Sequence, residues 1–252
     1  MATIVDLNSD MGEGFGPWTM GDDAALLDVI TSANIACGFH AGDPDVMAKT
    51  MRMAIEKDVG IGAHPGFDDL RGFGRRRLPR SHEELGNMVA YQLGAAQAMA
   101  KAVGGQVRHL KLHGALANMC SEDVDMARAC YRAALMVDPD VIVMVLAATA
   151  QQAAAEELGC NWVGEIFADR AYNDNATLVD RSLPGAVLHD AATAAPRILN
   201  MLREGAIIAE SGKRIPTRIN TVCLHSDTPE AVAMARELRR HLTEAGVELR
   251  KL

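Results

Sequence analysis

The feature that most constrains this chain is an alternation, repeated along its length, of short apolar segments with longer amphipathic ones. Strand patterns are predicted at Ile4 to Asp10, Ser32 to Gly38, Gly60 to Pro65, Val107 to His113, Val141 to Ala147, Trp162 to Asp169 and Ile219 to His225. Helical patterns lie between most of them. Asp43 then Pro44, the capping box Ser81-His82-Glu83-Glu84, Ser121-Glu122-Asp123 and Thr228-Pro229-Glu230 mark four helix starts. Strands that alternate with helices make a parallel sheet with crossover connections. Seven of them in 252 residues predict an α/β fold: one closed, TIM-like βα barrel domain spanning residues 1–252. A doubly wound open sheet is the competing architecture, but no G-x-G-x-x-G follows the first strand. A weak strand pair near Ile207 and Ile215 falls outside the alternation.

The strands end on ionisable residues: Asp10, His40, His64, Lys111 with His113, Glu165 with Asp169, and His225. In a βα barrel the active site is built at the C-terminal ends of the strands. Period-2 alternation puts Asp6, Asn8 and Asp10 on one face of the first strand, and His109, Lys111 and His113 on one face of the fourth. Burying so many ionisable groups costs several kcal/mol apiece, roughly, unless they are paired or used. These eight strand-end residues are therefore the candidate catalytic set. His109, at the other end of its strand, is left unassigned, and His82 and His241 are expected at the surface. Arg75-Arg76-Arg77, beside Gly72 and Gly74, offers guanidinium groups for a carboxylate or phosphate. Arg170, next to Asp169, is either an ion-pair member or a group that orients a substrate carboxylate.

The rest of the composition excludes more than it assigns. A net charge of -8, with no basic block beyond the triple arginine, argues against nucleic acid or anionic membrane as the main partner. Val141 to Ala148, the longest apolar run, is too short to span a bilayer, and the first residues lack a basic, then apolar, leader. Five cysteines without a C-x-x-C pair suit a reducing compartment, so a cytoplasmic protein is expected.

Two reaction classes fit the strand-end set. His and Asp can hold a divalent metal that activates water, with Asp10, His40 and His64 as candidate ligands. Alternatively, His, Lys and carboxylates act on a carbonyl without metal, by general acid–base chemistry and oxyanion stabilisation. No H-x-x-x-H on a helix and no cysteine-rich site favours the first, and no G-x-x-x-x-G-K-[ST] marks a nucleotide site.

Asp6-Leu7-Asn8-Ser9-Asp10-Met11-Gly12-Glu13, Asn34 to Asp43, Gly62-Ala63-His64-Pro65-Gly66, Phe73-Gly74-Arg75-Arg76, Tyr91-Gln92 and Phe167-Ala168-Asp169-Arg170-Ala171-Tyr172 together resemble the LamB/YcsF family over nearly the whole chain. The resemblance implies a seven-stranded barrel of the glycoside hydrolase/deacetylase type. It implies cleavage of 5-oxoproline to glutamate coupled to ATP hydrolysis, hence ATP as co-substrate and B and C subunits as partners. It also places Asn8, Glu13 and Asn34, beside Arg75, Arg76 and Arg170, among the substrate-contacting residues. Three positions depart from the family pattern. Leu112 and Ala117 replace the proline and tyrosine of K-P-H-G-A-L-Y-N, and Ser226 replaces the glycine of H-G-D. Loss of the tyrosine at Ala117 would enlarge a pocket or remove a hydroxyl. Two other functions remain open: a metal-dependent deacetylase or amidohydrolase acting alone, and a non-catalytic subunit that presents ligand to a partner. Association with further copies of the chain is also open.

Overall fold

A computed structural model describes residues 3–188, 190–224 and 231–252. In chain order its elements are β1 (Ile4–Met11), α1 (Asp23–Leu26), β2 (Ser32–Ala36), α2 (Pro44–Glu56), β3 (Gly60–His64), α3 (His82–Ala102), β4 (Val107–Lys111), α4 (Gly114–Glu122) and α5 (Val124–Val137). There follow β5 (Ile142–Leu146), α6 (Ala150–Leu158), β6 (Trp162–Phe167), α7 (Ala191–Glu204), β7 (Ala206–Ile208), β8 (Arg214–Pro216), β9 (Thr221–Leu224), α8 (Ala231–Glu244) and β10 (Glu248–Leu249).

Strands β1 to β6 pair in sequence order, all parallel, and β9 lies between β6 and β1, closing a seven-stranded barrel. Each of the seven expected strands is present. The segments near Ile207 and Ile215 form an antiparallel pair, β7 with β8, outside the barrel, and β10 adds two residues beside the start of β1. His225, Ser226, Asp227 and the cap Thr228-Pro229-Glu230 lie outside the described residues.

Helix starts follow their capping chemistry. The Asp43 carboxylate accepts from the amides of Asp45 and Val46, and Ser81 and Glu84 form the reciprocal capping box. Helix α4 begins directly at the end of β4 and was not expected. Gly114, at φ +54, bends the chain out of the strand, and a new helix then starts at Asp123, whose side chain caps α5.

The outward faces of the strands, among them Leu7, Leu110, Val143, Val145, Ile166 and Val222, are fully buried under the helices. The inward faces differ from the branched aliphatic filling usual in such barrels. Asp6, Asn8, Asn34, His109, Lys111, Glu165 and Thr221 are all buried inside. Their hydrogen bonds, rather than apolar contacts, fill the interior. Among the described residues no helix is long and apolar enough to cross a membrane.

Two glycines give a matched test of packing. A Cβ on Gly164 in β6 would sit 2.0 Å from the Arg218 carbonyl oxygen, while one on Gly94 in α3 meets nothing within 4 Å. Gly164→Ala is expected to lose about 1–3 kcal/mol of stability, and Gly94→Ala to gain up to about 1 kcal/mol. Denaturant unfolding of both variants measures this. An unchanged midpoint for Gly164→Ala would mean that the Arg218 segment does not press on β6.

Candidate active site

Three turns at the C-terminal ends of the first three strands bring the site together. Glu13 comes from the glycine-rich turn after β1, His40 from the turn after β2, and His64 ends β3. His113 stands at the position just before α4, after β4. The rings of His40 and His113 stack, with centroids 3.7 Å apart and planes 5° from parallel, and His64 stands at 90° to both. Glycine makes the stack possible: a Cβ on Gly66 would lie 2.7 Å from His40 Nδ1, and one on Gly74 would lie 2.7 Å from His40 Cβ and 2.8 Å from His113 Cδ2.

Backbone carbonyls decide which nitrogens carry protons. His64 Nδ1 lies 2.8 Å from the Lys111 carbonyl and His113 Nε2 lies 2.9 Å from that of Phe73. A carbonyl only accepts, so those nitrogens donate, and the lone pairs of neutral rings fall on His64 Nε2 and His113 Nδ1. These two atoms are 3.0 Å apart. Asp10 Oδ2 is 3.2 Å from His64 Nε2, and Glu13 Oε1 is 3.8 Å from His113 Nδ1 and 3.6 Å from His40 Nε2. Neither ring nitrogen of His40 makes a hydrogen bond. Burial, then the neighbouring rings, holds His40 well below the usual imidazole range, and burial and His64 take His113 down to about 3.

Converging lone pairs and a carboxylate repel one another unless a cation sits among them. One donor atom from each of Glu13, His40, His64 and His113 lies within 4.8 Å of the others. With two of the rings donating their far N–H to backbone carbonyls, the set fits a divalent metal that takes imidazole and carboxylate ligands. Of the candidate ligands Asp10, His40 and His64, the two histidines belong to this set, with Glu13 and His113; Asp10 lies against Lys111 and, at 3.2 Å, against His64 Nε2.

Below this cluster lies a buried ion-pair group. Lys111 Nζ is 2.9 Å from Asp10 Oδ1, 2.8 Å from Glu165 Oε1, 3.3 Å from Asn8 Oδ1 and 3.1 Å from Cys223 Sγ, and it faces the Phe167 ring at 5.1 Å. Burial disfavours charge at Asp10, yet His64 and Lys111 outweigh it and hold the carboxyl well below its usual range. Burial likewise opposes charge on Lys111, and Asp10, Cys223 and Glu165 together raise it well above the ordinary lysine value. Lys111 is thus matched by two carboxylates and ties Asp10 in place on the cavity floor.

A cavity of about 530 Å³ opens above both groups, with Asp10, Glu13, His64, Lys111 and Glu165 on its floor. Arg75, Arg170 and Arg181 line its wall, as do Leu112 and Ala117, two of the positions that depart from the family pattern. Arg75 lies over the Phe73 ring at 4.9 Å. Arg170 is buried, donates to the Val179 and Ala186 carbonyls, and is pushed down to about 10 by burial and Arg181.

Several expected substrate contacts are placed elsewhere. Arg76 turns away to pair with Asp69, and Arg77 pairs with Glu122 at the mouth. Asn8 and Asn34 lie beneath the floor, their amides taken up by Thr221, Asp10 and His109. Asp169 is buried next to Arg170 but does not line the cavity, and His225 is outside the described residues. His109, unassigned from sequence, proves to be wholly buried in this layer. Its signal was the period-2 spacing it shares with Lys111 and His113.

Lys111 supplies a stability test. Replacing it by Met leaves two buried carboxylates without their cation, a loss of about 3–5 kcal/mol. Adding Glu165→Gln should recover part of it, and His82→Ala on the surface should stay within about 0.5 kcal/mol of wild type. The sign with pH follows from the shifts. Asp10's contribution is complete above about pH 3.9 and fades as pH falls toward its depressed folded value. That of Lys111 is complete below about pH 10.4 and fades as pH rises through its raised one. Denaturant midpoints should therefore form a plateau between those limits that Lys111→Met lowers throughout; an unchanged plateau would remove the ion pair from the account.

The structure resembles that of the lactam utilization protein from Thermus thermophilus, with a TM-score of 0.93, 41% identity and coverage of 99% of this chain and 100% of that one. It also shares its fold, at a TM-score of 0.54 and 10% identity, with the catalytic domain of a peptidoglycan N-acetylglucosamine deacetylase from Eubacterium rectale. Among proteins of known name, the A subunit of 5-oxoprolinase from Ruegeria pomeroyi is 69% identical over 247 residues, 98% of each chain. The protein of the same name from Gluconobacter oxydans is 49% identical over 251 residues, 100% of this chain and 99% of that one. Residues 5–252 match the LamB/YcsF family model, and the chain belongs to that family.

Proposed function

We propose that this chain, acting as one barrel domain in the cytoplasm, opens the ring of 5-oxoproline as one component of an ATP-dependent enzyme whose B and C subunits handle the nucleotide. The observation that carries the reading is the meeting, on the floor of one cavity, of the Glu13–His40–His64–His113 donors with an Asp10 carboxylate held ionised beside them. The names of the close relatives point the same way.

A lactam is a stable amide. Phosphoryl transfer from ATP to its oxygen leaves the ring carbon open to attack, and the sequence offers no phosphate-cradling loop for that transfer, which falls to the partners. Water then adds to the ring carbon, the C–N bond breaks as the nitrogen takes a proton, and a second water hydrolyses the acyl phosphate so formed, leaving glutamate and free phosphate. Asp10 receives the proton from water at the floor, its position set by Lys111 and Asn34. Asp10 then gives that proton to the leaving nitrogen as the C–N bond breaks. Arg75 and Arg170 on the wall hold the substrate's carboxylate. A divalent metal held by Glu13 and the three histidines would polarise the bond at the carbon under attack and lower the pKa of water.

The deciding measurement is ATP hydrolysis with and without 5-oxoproline, by the chain alone and with B and C subunits. Lactam-dependent hydrolysis is expected only in the complex, and metal-free chain should lose it until a divalent cation is restored. Chelator-sensitive amide hydrolysis by the chain alone, without ATP, would replace this reading with that of a free-standing amidohydrolase.

A further inference from the structure

The layer beneath the cavity floor is a chain of hydrogen bonds with a fixed direction. Thr31, Ser32 and Thr221 all donate their hydroxyls to the Asp6 carboxylate. Thr221 has then spent its proton, so its oxygen accepts from Asn8 Nδ2 at 2.7 Å. That turns Asn8 Oδ1 toward Asn34 Nδ2 at 2.8 Å and toward the Lys111 ammonium at 3.3 Å. An ammonium can only donate, so the far end requires the same orientation independently. Asn34 Nδ2 also donates to Asp10 Oδ1 at 2.9 Å, which leaves Asn34 Oδ1 facing His109 Nε2 at 2.8 Å.

We propose that His109 is a positioning residue, whose Nε2–H bond to Asn34 locks the amide chain that aims Asp10 and Lys111 at the cavity floor. With a protonated Nε2 as its partner, Asn34 cannot flip its amide without setting two donors against each other and an oxygen against the Asp10 carboxylate. His109 is wholly buried, its Nδ1 has no hydrogen-bond partner, and burial followed by Lys111 takes its pKa down to about 3, so it is a neutral ring with one proton to give. The backbone is shaped around it. A Cβ on Gly62, the residue opposite His109 on β3, would lie 2.0 Å from Nε2, 2.3 Å from Cδ2 and 2.4 Å from Cε1. Any side chain there drives the ring away from Asn34.

The tautomer stands on hydrogen bonding alone, whereas its effect on turnover rests on the proposed role of Asp10. Two measurements keep these apart. In the full chain labelled with ¹⁵N-histidine, long-range ¹H–¹⁵N spectra should show His109 as the neutral Nε2–H form near pH 7, with His109→Gln giving the assignment. An Nδ1–H tautomer or an imidazolium would overturn the proposal whatever the enzyme does. In the complex with B and C subunits, His109→Leu should lower kcat for 5-oxoproline-dependent ATP hydrolysis by about 10–100-fold while KM stays within about threefold. His109→Gln, whose terminal amide nitrogen reaches the place of Nε2, should restore kcat to within about threefold of wild type. Equal loss in both variants, or no loss in either, would overturn the positioning role. Should His109→Leu fail to fold, Gly62→Ala keeps the imidazole but displaces it, and is expected to show the same kcat loss with shifted His109 resonances. A wild-type complex without lactam-dependent ATP hydrolysis would sink the functional reading, and the tautomer spectrum would still decide His109.

Discussion

The ammonium of Lys111 between Asp10 and Glu165 is the interaction on which the inner barrel depends. A lysine is almost never fully buried without a partner, and here the partners come from strands on either side of the barrel. Two carboxylates against one ammonium leave this layer with excess negative charge. Above it stand one more carboxylate and three imidazoles, two of which are held strongly toward the neutral form. A cation at the four-donor cluster would therefore do two things: relieve the facing lone pairs, and offset the negative charge that Lys111 leaves unmatched.

The parallel barrel explains why such a cluster forms at this rim. Several strands deliver an inward side chain to a common circle, and backbone carbonyls of the neighbouring strand and loop point at two of them. The Lys111 carbonyl sets the tautomer of His64, and the Phe73 carbonyl sets that of His113. The inward-facing ring nitrogens are thus oriented by main-chain geometry. Tight turns at Gly66 and Gly74 then let the rings stack in a space that any larger residue would close.

Much of this was legible in the sequence. Seven strand patterns predicted the barrel, and the polar strand ends the rim at which the cavity opens, because period and chain order survive folding unchanged. What failed to show was direction. Arg75, Arg76 and Arg77 are identical in one dimension; in space the first lies along the cavity wall over Phe73, the second pairs with Asp69 and the third with Glu122. Asn8 and Asn34 sit in motifs that suggest contact with substrate, but their inward positions fall one layer too deep, where Thr221, His109 and Asp10 claim their amides. Glu13 and His113, not among the candidate ligands, join His40 and His64 in the four-donor set for the same reason. A strand end names the residue that reaches the rim, but the turn after it decides which atom faces the centre.

The two halves of the site obey opposite demands. The floor is saturated: from Asp6 through Thr221, Asn8 and Asn34 to Asp10, each amide or hydroxyl has one workable orientation, set by an acceptor-only carboxylate at one end and a donor-only ammonium at the other. Such a network resists reorganisation, because turning one amide would strand buried donors at a cost of about 1–3 kcal/mol each. The wall is built instead largely from residues beyond the strands, with Arg170 and Arg181 on the segment after β6, Leu112 just after β4 and Ala117 in α4. Loops can change size and charge without touching the floor. The chemistry of the site is thereby tied to the barrel's interior register, and the choice of substrate to its loops. The departures at Leu112 and Ala117 fall in the wall, and their effect should be on which ring is admitted rather than on how it is opened.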